Sequence, residues 1–284
     1  MQTVMNILGQ GLALGAVYLL GALGLTIIYG VMGVVNLAHG ELVMLGSYVI
    51  ALTAGTVGYP LAVVLAFLGV GALGYVLDLV LIRFLYHKPV ASMLGTWGLG
   101  MVIRQGVILL FGTELRYVAL PIGGSLAIGF GANLGWWRIV LIIGSALAAV
   151  AVAVIIVRTR FGVQMRAVIA NPLAAESLGL RAAHVNRWTF ALGCALAGIA
   201  GALVAPLRTV FPGMGLPYLV GAFLVVILAG LGNVRSTIVW SLIIGVAFAA
   251  VAVPASDILA NIVVWCGVLA IIAARRSAIA VARV

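Results

Sequence analysis

Long apolar runs separated by short polar turns dominate the chain, at residues 4–30, 41–58, 60–82, 92–112, 137–157, 188–211, 218–232, 236–254 and 256–274. A helix crossing a bilayer needs about 20 apolar residues. The pattern therefore predicts an all-α, polytopic membrane helix bundle with eight or nine transmembrane helices. Two places interrupt it: 31–40 (VMGVVNLAHG) is polar enough to break a helix, and 218–232 is short. Non-helical backbone at membrane depth persists only where protein or a water-filled cavity surrounds it, and interrupted segments often line transport paths. These two places are the candidates for a pathway. The runs leave no stretch for a soluble catalytic domain, so 1–284 reads as a single transmembrane domain.

Composition agrees with the pattern. Only 7% of the residues are charged, against about 25% in soluble domains, and the mean hydropathy is +1.35. The formal charge of +10 would suggest nucleic acid in a soluble protein. Here the basic residues sit between apolar runs and mark topology, so no nucleic-acid partner is expected. Arg83, Lys88, Arg158, Arg160, Arg166, Arg181, Arg187, Arg235, Arg275, Arg276 and Arg283 fall in alternate turns and the tail. Arg116, Arg138 and Arg208 fall on the other side, and Arg104 lies within a run. Cytoplasmic loops are enriched in Lys and Arg, which places the loop 158–187 and the C-terminus in the cytoplasm and 113–136 outside. The side of the N-terminus depends on whether 31–40 turns back. No Lys or Arg precedes Arg83, so no cleaved signal peptide is expected.

Glycine contributes 37 residues, about twice the usual 7%. Several fall at helix-contact spacing, as in Gly11-x3-Gly15, Gly95-x2-Gly98 and Gly198-x2-Gly201. Close helix packing and the ordinary glycine enrichment of membrane helices both account for this, and the second is the default. The segments 30–50 and 211–232 begin alike, with closely spaced glycines before an apolar run, a weak sign of internal duplication.

The chemistry available is sparse. Glu41, Asp78, Glu114, Glu176 and Asp257 are the five acids, and His39, His87 and His184 are equally scattered. No spacing suits zinc, Cys194 and Cys266 lie in apolar runs, and no catalytic or metal site is expected. A Walker-A loop needs a Lys after G-x4-G. The sole Lys, Lys88, precedes Pro89, so any ATPase must be another polypeptide.

Two constellations remain. In the loop 158–187, Asn171 suits an N-cap, Pro172 the first helical position and Gly179 the left-handed residue beyond the helix. This predicts a helix of about seven residues, roughly 10 Å long. Leu173, Ala174, Ala175 and Leu178 give it a small apolar surface, read either as a docking face or as a helix lying against the bundle or lipid. The second constellation is Asn36-Leu37-Ala38-His39-Gly40-Glu41. Polar groups at membrane depth are costly, and they either serve transport or close the broken segment; the structural account is favoured.

The segments YGVMGVVNLAHGELVMLGSY (29–48), FGVQMRAVIANPLAAESLGL (161–180) and FLVVILAGLGNVRSTIVWSLIIG (223–245) resemble LivH-type permeases of bacterial branched-chain amino acid ABC importers, in order along nearly the whole chain. Residues 82–105 and 213–226 look more like the urea and short-amide branch. The resemblance implies an inner-membrane importer with a LivM-like second permease, two cytoplasmic ATPase subunits that hold ATP and Mg, and an extracytoplasmic solute-binding protein; this chain itself carries no cofactor. It also implies a coupling role for the cytoplasmic helix, with Arg166, Asn171, Ala174, Ala175, Leu178 and Gly179 at the ATPase contact. Asn171 and Leu173 stand where acids are common in the family, so that contact is expected to be less charged. The low charge of the runs suits a neutral or zwitterionic solute: a branched-chain amino acid, urea or a short amide. Asn36, His39, Glu41, Ser92 and Thr96 are the candidate path residues. A proton-coupled secondary transporter, using Glu41, His39 and Asp78, or a urea channel is the alternative.

Overall fold

A computed structural model describes residues 1–129, 131–230 and 232–281, without the side chains of Ile128 and 275–281. The expected cytoplasmic position of Arg283 therefore lies outside the described residues. The helices follow the apolar runs closely: α1 (Gln2–Met32), α2 (His39–Val57), α3 (Tyr59–Val80), α4 (Pro89–Phe111), α5 (Trp136–Arg158), α6 (Arg160–Ala170), α7 (Pro172–Ser177), α8 (Ala182–Val204), α9 (Gly215–Ala229), α10 (Val234–Ala252) and α11 (Asp257–Val281). Among the described residues eight helices are long and apolar enough to cross a membrane, and α9 is shorter. At about 1.5 Å per residue, α9 spans about 22 Å, less than a hydrocarbon core. The expected outside loop folds into a β-hairpin, β1 (Ser125–Gly129) against β2 (Ala132–Gly135), a small departure from an all-helical chain.

The contacts sort the turns to two ends. Gln2 donates to the Gly131 carbonyl at 3.0 Å, and Arg116 bridges Val210, so the N-terminus, the hairpin segment and 205–214 share one end. The His87 amide donates to the Met32 carbonyl at 3.2 Å, and a Cβ on Gly30 would stand 2.9 Å from Gly232 Cα. Val31 shares a core with Met165, Val168, Ala175 and Ala182. The turns bearing Arg83, Lys88, Arg158–Arg187 and Arg235 therefore gather at the opposite end. The N-terminus lies at the end away from the basic segments.

Between these ends α1 and α8 form the buried centre. Residues 11–32 of α1 and 191–204 of α8 are almost wholly apolar, as buried helix segments are. Lipid gives no hydrophobic drive between helices, so association rests on close packing, and glycine supplies it. A Cβ on Gly11 would lie 2.7 Å from Val246 Cα on α10, one on Gly24 would lie 2.6 Å from the Gly193 carbonyl, and one on Gly198 would lie 2.6 Å from the Ala66 carbonyl. Gly46 abuts the Gly198 backbone, and Gly201 abuts Val43. Glycine thus marks the crossings of α1 with α10 and of α8 with α2 and α3. Gly98, by contrast, faces open space.

The sequence likeness between 30–50 and 211–232 has a counterpart in the arrangement. Each long central helix is followed by a stretch that leaves the α-helical path and then by a shorter helix, α1 by α2 and α8, through a 3-10 turn at Ala205–Leu207, by α9. The two shorter helices meet at their N-terminal ends, where a Cβ on Gly40 would stand 2.5 Å from the Gly215 carbonyl oxygen.

Candidate functional site

The predicted break at 31–40 is real and narrower. Gly33 ends α1 in the left-handed conformation (φ 64°) that glycine tolerates without cost, and the chain is non-helical through residue 36 before a turn at Leu37 and Ala38 enters α2. Such a segment leaves backbone amides and carbonyls without helical partners. α4 supplies them. Ser92 Oγ accepts from the Val35 amide at 3.1 Å, and Thr96 Oγ1 accepts from the Leu37 amide at 2.9 Å. Thr96 Oγ1 also lies 3.0 Å from the Val35 carbonyl and 2.6 Å from the Ser92 carbonyl. Asn36 Oδ1 accepts from the Ala38 amide at 3.1 Å, leaving its buried Nδ2 without a partner.

One helical turn further along α4, a Cβ on Gly100 would stand 3.5 Å from Glu41 Cγ, and one turn beyond that Arg104 pairs with Glu41. Ser92, Thr96, Gly100 and Arg104 recur every four residues, the spacing that shares one helix face. This stripe fastens α4 to the break and to the start of α2. The expected path residues Asn36, His39, Glu41, Ser92 and Thr96 thus come together around the broken segment. His39 is buried against Gly24 of α1. Sequence reading left Arg104 without a partner. Its four-residue spacing from Gly100, Thr96 and Ser92 was the available signal.

Beside this stripe lies an apolar cleft of about 290 Å³ lined by Leu37, Trp97, Leu216, Leu219, Val220, Phe223 and Leu224. It therefore adjoins both interrupted segments, the 33–38 break through Leu37 and the short helix α9 through the rest.

At the basic end, 158–187 is more helical than expected. Thr159 Oγ1 accepts from the Gly162 amide at 3.1 Å and starts α6, whose Gly162, Met165 and Val168 face the bundle. The Thr159 cap and the apolar spacing of 161, 165 and 168 carried this signal. Arg166 braces the corner by donating to the Ile156 carbonyl at the end of α5. Asn171 caps α7, its Oδ1 accepting from the Ala174 amide at 3.1 Å, Pro172 opens the helix, and Gly179 has φ 86°. Leu173 and Leu178 are 76% and 84% exposed. Ala175 is placed otherwise than the sequence suggested. It is buried against α6 and α8, accepts from the Leu180 amide at 3.0 Å, and adds nothing to the exposed face. Six residues form only one and a half turns, so one side of α7 must face the bundle.

A second polar cluster escaped the sequence reading. Asp78 of α3 is fully buried, its Oδ1 accepts from Tyr86 Oη at 2.5 Å, and its Oδ2 lies 3.5 Å from Arg187 Nε of α8. Tyr86 sits in the turn between α3 and α4; burial and the adjacent Asp78 carboxylate raise its phenol above the ordinary tyrosine range. Among the described residues no three His, Cys, Asp or Glu side chains gather as a metal site would require.

The family of permease components of branched-chain amino acid transport systems matches residues 7–273. The chain belongs to that family and is a transport subunit of a multi-pass membrane system. It is 30% identical over 263 residues to the high-affinity branched-chain amino acid transport system permease protein LivH of Escherichia coli K12, covering 84% of this chain and 82% of that one. It is 28% identical over 254 residues to the permease protein BraD of Pseudomonas aeruginosa, covering 84% and 83%. A probable branched-chain amino acid transport permease protein LivH of Methanocaldococcus jannaschii is 27% identical over 241 residues, covering 79% and 74%. No solved structure gives a significant match.

Proposed function

We propose that this chain is a transmembrane permease subunit of an ABC importer in the inner (plasma) membrane. It admits a small neutral or zwitterionic solute, a branched-chain amino acid, urea or a short amide, driven by ATP hydrolysis on partner subunits. The observation that carries the reading is the family match across 7–273. The end bearing Arg158–Arg187 and the C-terminus face the cytoplasm, since basic segments are retained there, and the N-terminus and the β-hairpin face outward. The exposed Leu173, Ala174 and Leu178 of α7 dock on an ATPase that holds ATP and Mg. The solute passes the cleft beside the 33–38 break, and a LivM-like permease completes the path. A solute-binding protein delivers the solute at the end that carries the hairpin.

The sequence supports this over a self-sufficient pump, because its sole Lys, Lys88, precedes Pro89 and stands in no phosphate-binding loop. Proteoliposomes holding the chain, a second permease, two ATPases and the binding protein test it. The expected result is saturable uptake of leucine, urea or acetamide that requires ATP and the binding protein. Uptake driven by a proton gradient without ATP, or passive urea flux, overturns it.

A further inference from the structure

Arg104 is the sixteenth residue of the 23-residue α4, about 10 Å short of the helix end. A guanidinium at that depth is costly against lipid and belongs to a bundle interior or a water-filled cavity. Its side chain is 38% exposed, while that of its partner Glu41 is 6% exposed. The guanidinium end of the pair is therefore open at the surface of this chain, twice as far as Arg187 is in its pair with Asp78.

The hydrogen bonding of the pair is also incomplete in a complementary way. Arg104 gives Nε, at 3.1 Å, and Nη2 to the same oxygen, Glu41 Oε1. Nη1 makes no hydrogen bond among the described residues, and Glu41 Oε2 is buried without a partner. The pair therefore offers one free charged donor and one free charged acceptor. Trp97 and Arg104 are seven residues apart on one face of α4, and Gly100, beside Glu41, is only about 4.5 Å along the axis from Trp97. Trp97 lines the apolar cleft of about 290 Å³.

Resting on the permease reading above, we propose that Arg104 and Glu41 form a solute subsite that takes the two charged ends of a zwitterion, with the solute's apolar side chain in the cleft of Leu37, Trp97, Leu216, Leu219 and Phe223. The carboxylate binds Nη1 of Arg104. The ammonium binds Oε2 of Glu41 as the guanidinium swings toward the solute. A neutral amide such as urea has no charge to match this pair and no side chain to fill the cleft. The subsite therefore deepens the proposed function by selecting amino acids within the wider solute class.

The test uses the complete transporter in proteoliposomes with its own binding protein, measuring ATP-dependent uptake of radiolabelled leucine and of urea. Two variants are compared with the unaltered chain: the neutral pair Glu41→Gln with Arg104→Gln, and the swapped pair Glu41→Arg with Arg104→Glu. Co-purification of the ATPases confirms assembly in each. The expected outcome is leucine uptake by the unaltered complex and at least a tenfold loss in the neutral pair. The swap keeps an ion pair, so a purely structural role would restore transport there, whereas a zwitterion subsite stays impaired. If the swap does not assemble, undiminished leucine uptake in the neutral pair is the outcome that overturns the subsite. Leucine uptake undiminished in the neutral pair, or restored by the swap, overturns the subsite, as does a complex that carries urea and not leucine. Failure of the unaltered complex to move any solute with ATP would instead strike the permease reading.

Discussion

Arg187 Nε stands 3.5 Å from Asp78 Oδ2, an acid with no solvent exposure, so α8 and α3 are tied by charge at the basic end of the bundle. Tyr86 holds the other carboxylate oxygen at 2.5 Å, and the Arg187 guanidinium lies 5.3 Å from the Tyr75 ring centroid. The turn that carries Tyr86 also reaches the end of α1, through the His87 amide and the Met32 carbonyl. Helix α8, which directly follows the α7 segment, is thereby linked to the turn beside the 33–38 break.

Removing one member of a buried pair leaves the other uncompensated, typically at about 3–5 kcal/mol. Arg187 keeps 19% of its side chain exposed, so Asp78→Ala is expected at the lower end, about 3 kcal/mol. Tyr86→Phe removes one hydrogen bond to a charged group and should cost about 1.5–3 kcal/mol. Thermal unfolding in detergent should rank the unaltered chain first, Tyr86→Phe second and Asp78→Ala last. Equal midpoints for all three would mean that this cluster contributes nothing to the fold.

Glycine positions predict opposite effects for one kind of substitution. A methyl at Gly46 would run into the Gly198 backbone, which cannot move as a side-chain tip can, whereas Gly69 of α3 has nothing within 4 Å of an added Cβ. Gly46→Ala should destabilise by about 1–3 kcal/mol through overpacking. Gly69→Ala should be neutral or stabilise by about 0.5–1 kcal/mol, because the helix no longer pays for glycine's freedom. Unfolding midpoints that move the same way in both variants would contradict the assigned crossing.

Most of the helix pattern was legible because the membrane demands it: about 20 apolar residues per crossing leave a mark that no tertiary contact overrides. The break at 33–38 was legible for the related reason that Asn36, His39 and Glu41 are out of place in an apolar run. The Asp78–Arg187 pair was not, since it joins residues 109 positions apart and neither has a local motif. The spacing of Arg104 from Ser92 and Thr96 marked a shared helix face, but Glu41 lies 63 positions away and nothing local joined the two. Ala175 was assigned to an exposed face because composition cannot say which side of a short helix meets the bundle; only the contacts of Ala175 with α6 and α8 decide that. The glycines at Gly11, Gly46 and Gly198 looked ordinary because helix-contact spacing also occurs by chance, as Gly98 illustrates.

Sidedness gives a prediction independent of transport. With Cys194 and Cys266 replaced by Ala, single cysteines at Ser177 and Ser125 should react with a membrane-impermeant maleimide from opposite faces. Ser125 lies in the hairpin and Ser177 at the end of α7, and both are exposed. In intact cells Ser125→Cys should label and Ser177→Cys should label only after permeabilisation. Both labelling in intact cells would reverse or abolish the topology.

The last prediction separates docking from packing on α7, using two arginines on one short helix. Leu178 is 84% exposed and bonded only through its backbone, so Leu178→Arg adds charge to a face that touches nothing in this chain. Ala175 is 2% exposed among Met165, Val168, Ala182 and Val185, so Ala175→Arg forces an unpaired charge and a large side chain into a packed site. The unfolding midpoint of the isolated permease should be unchanged, within about 0.5 kcal/mol, for Leu178→Arg, as for most surface changes. Ala175→Arg should lose several kcal/mol, as burying an unpaired charge does. Retention of the ATPase subunits on the affinity-purified permease should fall at least tenfold for Leu178→Arg, because docking would bury a guanidinium with no opposite charge on this face. A Leu178→Arg permease that keeps its ATPases and transports at the unaltered rate would show that α7 is not the docking element and that its exposed leucines serve another contact.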